Sequence, residues 1–164
     1  MAAPTMLAMS ISKPANAGTS LSAGEVRGTF GAWQMRCGRP PGASKEKCAL
    51  VQSVKAQDRQ NVSLMVIFMH SYDGKSRILR VFAPLGVLLP PGLGLKIDNA
   101  DVGHAPFMKC GPVGCMAEVM VKDDLFKKMQ TGKNAVFIIF QTPEAGIGIP
   151  ISLGGFAQGL AKLN

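Results

Sequence analysis

The chain has 164 residues and a mass of 17.3 kDa; it is 47% hydrophobic and 17% charged, with 18 Lys and Arg against 10 Asp and Glu for a formal charge of +8. That length supports one domain with a real core and is too short for two of ordinary size. The low charge density excludes a disordered, nucleic-acid-coating tail, and 19 glycines and 11 prolines without a triplet period exclude collagen and require many turns between short elements.

Taken in chain order, residues 2 to 12 (AAPTMLAMSIS) are uncharged, and Ala15-Asn16-Ala17 has the small-x-small shape that signal peptidase cleaves. Residues 1–17 are therefore expected to be the remnant of an export signal, with a mature domain over 18–164. The first cation is Lys13 and Pro4 interrupts the apolar stretch, so the expected signal is incomplete at its start; an ordinary flexible arm is the alternative. FGAWQMR, from Phe30 to Arg36, alternates and predicts a first strand ending at Cys37. Lys47 to Ala56 and Asn61 to Tyr72 are the next strands, and the second is apolar on both faces, as a central strand is. Asp73-Gly74 between that run and KSRILRVFAP predicts a hairpin.

Pro90-Pro91-Gly92 breaks the following run, and a short strand restarts over Leu93 to Ile97. Ala105 to Cys110 and Cys115 to Val121 predict another hairpin. DDLFKKMQTG predicts a helix, with Asp123 and Asp124 in its first turn, Lys127 and Lys128 in its last and Gly132 as terminator. Strands over Asn134 to Gln141 and Ile147 to Leu153 and a short helix through Phe156, Leu160 and Leu163 complete the chain. About eight short strands with one or two helices describe an all-β, antiparallel, β-sandwich-like single domain. The longest uncharged runs, Val81 to Leu95 and Ala145 to Ala161, are broken by Pro84, Pro90, Pro91 and Pro150, so no transmembrane span is expected.

Cys37, Cys48, Cys110 and Cys115 form two local couples. Neighbour pairing into disulfides is the economical reading, because CGRPPGASKEKC and CGPVGC both turn sharply; a zinc site is the alternative, although ten residues between Cys37 and Cys48 fit its spacing poorly. Neither couple is C-x-x-C, which argues against a thioredoxin-like centre. Gly74-Lys75-Ser76 resembles the end of a P-loop, but Met69 stands where the first glycine is needed. Asp98, Asp101 and His104 are a candidate cation cluster, set against the simpler reading of a polar loop. There is no G-x-S-x-G, and Glu118 and Glu144 are not brought together by anything in the sequence. No catalytic residue, cofactor or nucleic-acid partner is assigned. What remains is cationic: Arg36, Arg39, Lys45 and Lys47 in or beside the first cysteine loop are the candidate binding loop for an acidic glycan, a lipid headgroup or a host-cell surface, with solvated surface charge as the alternative.

FGAWQMRC, CALVQS, RVFAPLGVLLPPGLGLKID, PFMKCGPVGCMAE and IPISLGGFAQGL together resemble the invasion-associated locus B proteins of Gram-negative bacteria, over most of the region after residue 17. The resemblance implies an exported envelope protein, periplasmic or associated with the outer membrane and cell surface. It also implies a link to entry into host cells such as erythrocytes, with no established catalysis and no active-site residues to carry over. Two functions are expected from different classes: a virulence factor that binds the host cell, or a structural accessory of the envelope whose partners are other envelope proteins.

Overall fold

The computed structural model describes residues 21–56, 59 and 61–163. A single 3-10 turn, Leu21–Ala23, leads into eleven strands: β1 (Glu25–Phe30), β2 (Trp33–Gly38), β3 (Lys47–Lys55), β4 (Ser63–His70), β5 (Arg77–Ala83), β6 (Leu93–Ile97), β7 (Ala100–Ala105), β8 (Phe107–Gly111), β9 (Gly114–Met120), β10 (Asn134–Thr142) and β11 (Ala145–Ser152). Helix α1 (Asp123–Thr131) precedes β10 and α2 (Phe156–Lys162) ends the described chain. All pairings are antiparallel and fall into two sheets, one of seven strands in the order β1-β2-β3-β4-β5-β9-β8 and one of four in the order β11-β10-β6-β7. The all-β sandwich-like expectation is met, and among the described residues no helix is long and apolar enough to cross a membrane.

Two strands depart from the sequence reading. The first predicted strand breaks at Gly31 and Ala32 into a hairpin, with Gly31 at a φ of 57° and Phe30 paired to Trp33, so a further strand, β1, lies N-terminal to it. The stretch over 98 to 104 is also a hairpin: Asp98 and Asn99 take φ of 47° and 67°, and β7 pairs back onto β6. Asp and Asn are the residues other than glycine that enter the left-handed region most readily, and two such residues in succession suit a hairpin turn whose twist matches its strands.

The strand alternation divides the large sheet into two unlike faces. Inward, the cross-strand row Met35, Leu50, Phe68, Leu79 and Val119 meets Phe137, Ile139, Ile149 and Ile151 of the small sheet. The two helices complete this core. Phe156 of α2 lies 5.2 Å from Trp33 and 5.1 Å from Phe68, and Phe126 of α1 stacks on Phe68 at 6.1 Å. One buried polar side chain ties the sheets together: Gln52 donates to the Ser152 carbonyl at 2.8 Å and accepts from the Ser152 N–H at 3.1 Å, while the Trp33 indole N–H donates to the same carbonyl at 3.0 Å. Outward, Ala49, Val51, Ile67 and Met69 form a second apolar cluster, which Leu21 and Phe82 partly cover.

A candidate binding groove walled by the cysteine loop

Both local disulfides are present, so the neighbour pairing is met and none of the four cysteines is free. Cys37 and Cys48 face each other across β2 and β3 with Cα atoms 4.0 Å apart, and Cys110 and Cys115 do the same across β8 and β9 at 3.9 Å. The first bridge closes the base of a loop, residues 39 to 46, which turns back at Pro40 through an Ala43 N–H to Pro40 carbonyl bond of 3.0 Å. Across the outer face stands the β4–β5 hairpin, shaped as its Asp-Gly signal predicts. Gly74 has a φ of 71°, the Ser71 hydroxyl donates to the Asp73 carboxylate, and the Lys75 N–H donates to the same carboxylate at 3.0 Å. These contacts hold the Asp73 carboxyl below its ordinary range, the Ser71 hydroxyl contributing most.

Between loop and hairpin lies a groove of about 310 Å³. Its floor is the outward side of the large sheet, where Ile67, Met69, Ile78 and Phe82 project from β4 and β5. Pro40 and Pro41 of the loop, His70, Ser71 and Tyr72 at the hairpin, and Leu21 of the N-terminal turn also line it. Lys47 also lines the groove, and its ammonium donates to the Tyr72 carbonyl at 3.3 Å. Arg80 also lines the groove, but Glu118, its cross-strand partner, accepts from it at 2.7 Å. The groove is thus apolar below and cationic at its rim, and none of the residues lining it is acidic.

The four cations of the candidate loop separate into three kinds. Arg39 and Lys45 are exposed on the loop itself. Arg36 is instead a strand residue: it donates to the Gln34 side chain at 2.8 and 3.1 Å and to the Ser22 carbonyl at 3.0 Å, pinning the N-terminal turn to the sheet. That pinning removes it from the set of free loop cations, since residues i and i+2 of one strand share a face and Gln34 is within its reach. Lys47 belongs to the groove.

Asp98, Asp101 and His104, the candidate cation cluster, are not among the described residues whose ligand atoms lie within 4.8 Å of one another. The Asp98 carboxylate accepts the backbone N–H groups of Lys133 and Asn134 at 3.1 Å, Asp101 accepts that of Gly103 at 2.8 Å, and His104 lies along β7 beside a hollow of about 80 Å³ between the sheets. Among the described residues the only three ligand-type side chains whose atoms cluster within 4.8 Å are Cys37, Glu46 and Cys48. Both sulfurs there are in the disulfide, and Glu46 accepts from Arg27 at 3.0 Å. The floor residues Ile67, Met69, Ile78 and Phe82 are not identified from the sequence as part of a site. The signal for them is the two-sided apolarity of the fourth strand: in a two-layer sandwich only one face meets the other sheet, so the second apolar face has to be covered or used.

No curated protein sequence matches the chain. Among solved structures, the crystal structure of invasion associated protein B from Bartonella henselae superposes with a TM-score of 0.67. It is 19% identical, and the match covers 82% of this chain and 93% of that one. The likeness carries the fold. The family model described as "Invasion associated locus B (IalB) protein" matches residues 33–164, from the buried Trp33 through both disulfides to the end of the chain, and the chain therefore belongs to the invasion associated locus B family.

Proposed function

We propose that this invasion-associated protein is exported to the cell envelope and contributes to host-cell entry by binding an acidic surface, with the Cys37–Cys48 loop as the contact. The observation that carries the reading is the loop itself: two exposed cations, Arg39 and Lys45, on a short segment whose ends are covalently joined. A constrained loop loses less conformational entropy on binding than a free one. Catalysis is not part of the reading, because the four thiols are consumed in disulfides and His70 lies edge-on against Phe68 with Arg77 as its cross-strand neighbour. The expected cleavage before Gly18 lies outside the described residues and belongs to the same proposal. In the test, attachment of the Arg39→Ala/Lys45→Ala variant to erythrocytes or to immobilised acidic glycan is measured between 50 and 300 mM salt (about these limits bracket the Debye range that matters). At least tenfold weaker attachment at low salt, converging with the unmodified protein at high salt, is expected; attachment equal at every salt concentration overturns the reading.

A structural role in the envelope is favoured by a different surface. β8 is an edge strand of the large sheet, and Met108 on it and Val113 in its turn are 63% and 79% exposed. An apolar edge of this kind suits strand addition by another protein. Contact there would be insensitive to salt.

A further inference from the structure

The groove beneath the cysteine loop has a chemistry that the surface-binding reading does not use. We propose that it binds a long-chain fatty acid, with the acyl chain laid along the floor of β4 and β5 and the carboxylate at the Lys47 ammonium. The proposal goes beyond the surface-binding reading above, whose cations Arg39 and Lys45 do not line the groove.

The floor argues for an acyl chain in preference to a peptide. β4 and β5 are interior strands, bonded on both sides to β3 and β9, so their backbone donors and acceptors are already paired within the ladder. A peptide laid across this face would find few partners for its own amide groups, each of which costs free energy when buried unpaired. A hydrocarbon chain needs none. The apolar path is also longer than the groove alone. A second hollow, of about 570 Å³, lies on the other side of the Leu21–Ala23 turn and shares Ser22 and Phe82 with the first. It adds Met65, Val54 and Val113, with Ser53, Lys55 and Ser63 also on its lining, so apolar residues continue beyond the first groove past Phe82. Along β4 the track from Met69 to Met65 covers about 13 Å at about 3.3 Å per residue.

The polar end argues for a single negative charge. Lys47 offers one ammonium, one of whose three donors is engaged among the described residues, at 3.3 Å to the Tyr72 carbonyl. Arg80, the other cation in the groove, is already neutralised by Glu118. Ser71 and Tyr72 supply a polar wall beside the ammonium. A monoanionic head on a long apolar tail matches this arrangement, and the protein's overall charge of +8 favours its approach. The volume of the first groove lies at the lower end of the range for small-molecule sites, about 300–1,000 Å³.

Equilibrium dialysis of the full chain against radiolabelled palmitate, kept below its aggregation threshold, tests the proposal, with the uncharged monopalmitin as the comparison. Saturable binding near one palmitate per chain is expected, with monopalmitin at least tenfold weaker. Lys47→Gln is expected to weaken palmitate at least tenfold and leave monopalmitin unchanged. A second variant, Met69→Trp, fills the floor and is expected to reduce both ligands. Absence of saturable palmitate binding overturns the proposal, as does equal binding of palmitate and monopalmitin, or palmitate binding indifferent to Lys47→Gln. Attachment of the Arg39→Ala/Lys45→Ala variant to acidic surfaces is a separate readout on a different side of the loop, so the groove and the surface-binding reading fail independently.

Discussion

Gln52 shows how much a single side chain carries in this sandwich. Its amide uses both ends on one residue of the opposite sheet, Ser152, whose carbonyl it shares with the Trp33 indole. In Gln52→Leu the carbonyl keeps Trp33, but the Ser152 N–H loses its acceptor; a loss of about 1–3 kcal/mol is expected in urea unfolding, the cost of a polar group left unpaired between sheets. Gln52→Glu, which keeps an acceptor for that N–H, is expected to recover part of the loss at a pH where it is neutral. His70 gives the molecule a pH-dependent increment of opposite origin. It is held below its ordinary value of 6.5, first by burial and then by the charges of Arg77 and Lys47. The unfolded chain therefore binds the proton more readily than the folded one. The sign follows: stability is full above about pH 6.5 and falls as pH drops through the folded-state value. The slope of urea midpoint against pH between 7 and 5 is expected to flatten in His70→Gln, and an unchanged slope would assign the dependence to other groups.

At the scale of elements, the sequence is most readable where local chemistry and final geometry agree. The Asp73-Gly74 hairpin, the α1 helix with its acidic first turn and the Cys110–Cys115 hairpin all lie where local signals place them. β1 and β7 are illegible for a shared reason. Their residues, EVRGTF and ADVGHA, are mostly exposed and carry no apolar alternation, so their strand state comes from hydrogen bonding to a neighbour whose position only the whole fold determines. The groove suffers the same gap, since four strand residues and two loops meet there only after β3, β4 and β5 have paired. The Cys37–Cys48 bridge is the element on which the candidate site depends most. Replacing both cysteines by Ala is expected to cost about 2–4 kcal/mol in denaturant unfolding, through the conformational freedom returned to the unfolded chain. It is also expected to raise amide exchange across residues 39 to 46, leaving β8 and β9 protected.

On the scale of the whole molecule, the two ends of the fold are locked together at one tight crossing. The turn between β1 and β2 passes directly over the start of α2, where Ala32 N–H donates to the Gly154 carbonyl at 3.3 Å. Gly155 there has a φ of 90°, and a Cβ on it would stand 1.9 Å from the Phe30 carbonyl oxygen. Gly155→Ala is expected to lower stability by at least about 2 kcal/mol, the combined cost of a left-handed backbone and of forcing two main chains apart. Calorimetry would show this as a single, lower transition, because the crossing joins elements from both layers. The strand order has a further consequence, for the timing of folding. β6 and β7 belong to the small sheet, yet β6 pairs with β10, which begins only at Asn134, so the small sheet cannot close until Asn134–Thr142 arrives. A chain synthesised N-terminus first therefore shows an open face of Leu50, Phe68 and Val81 until the last quarter of the polypeptide emerges.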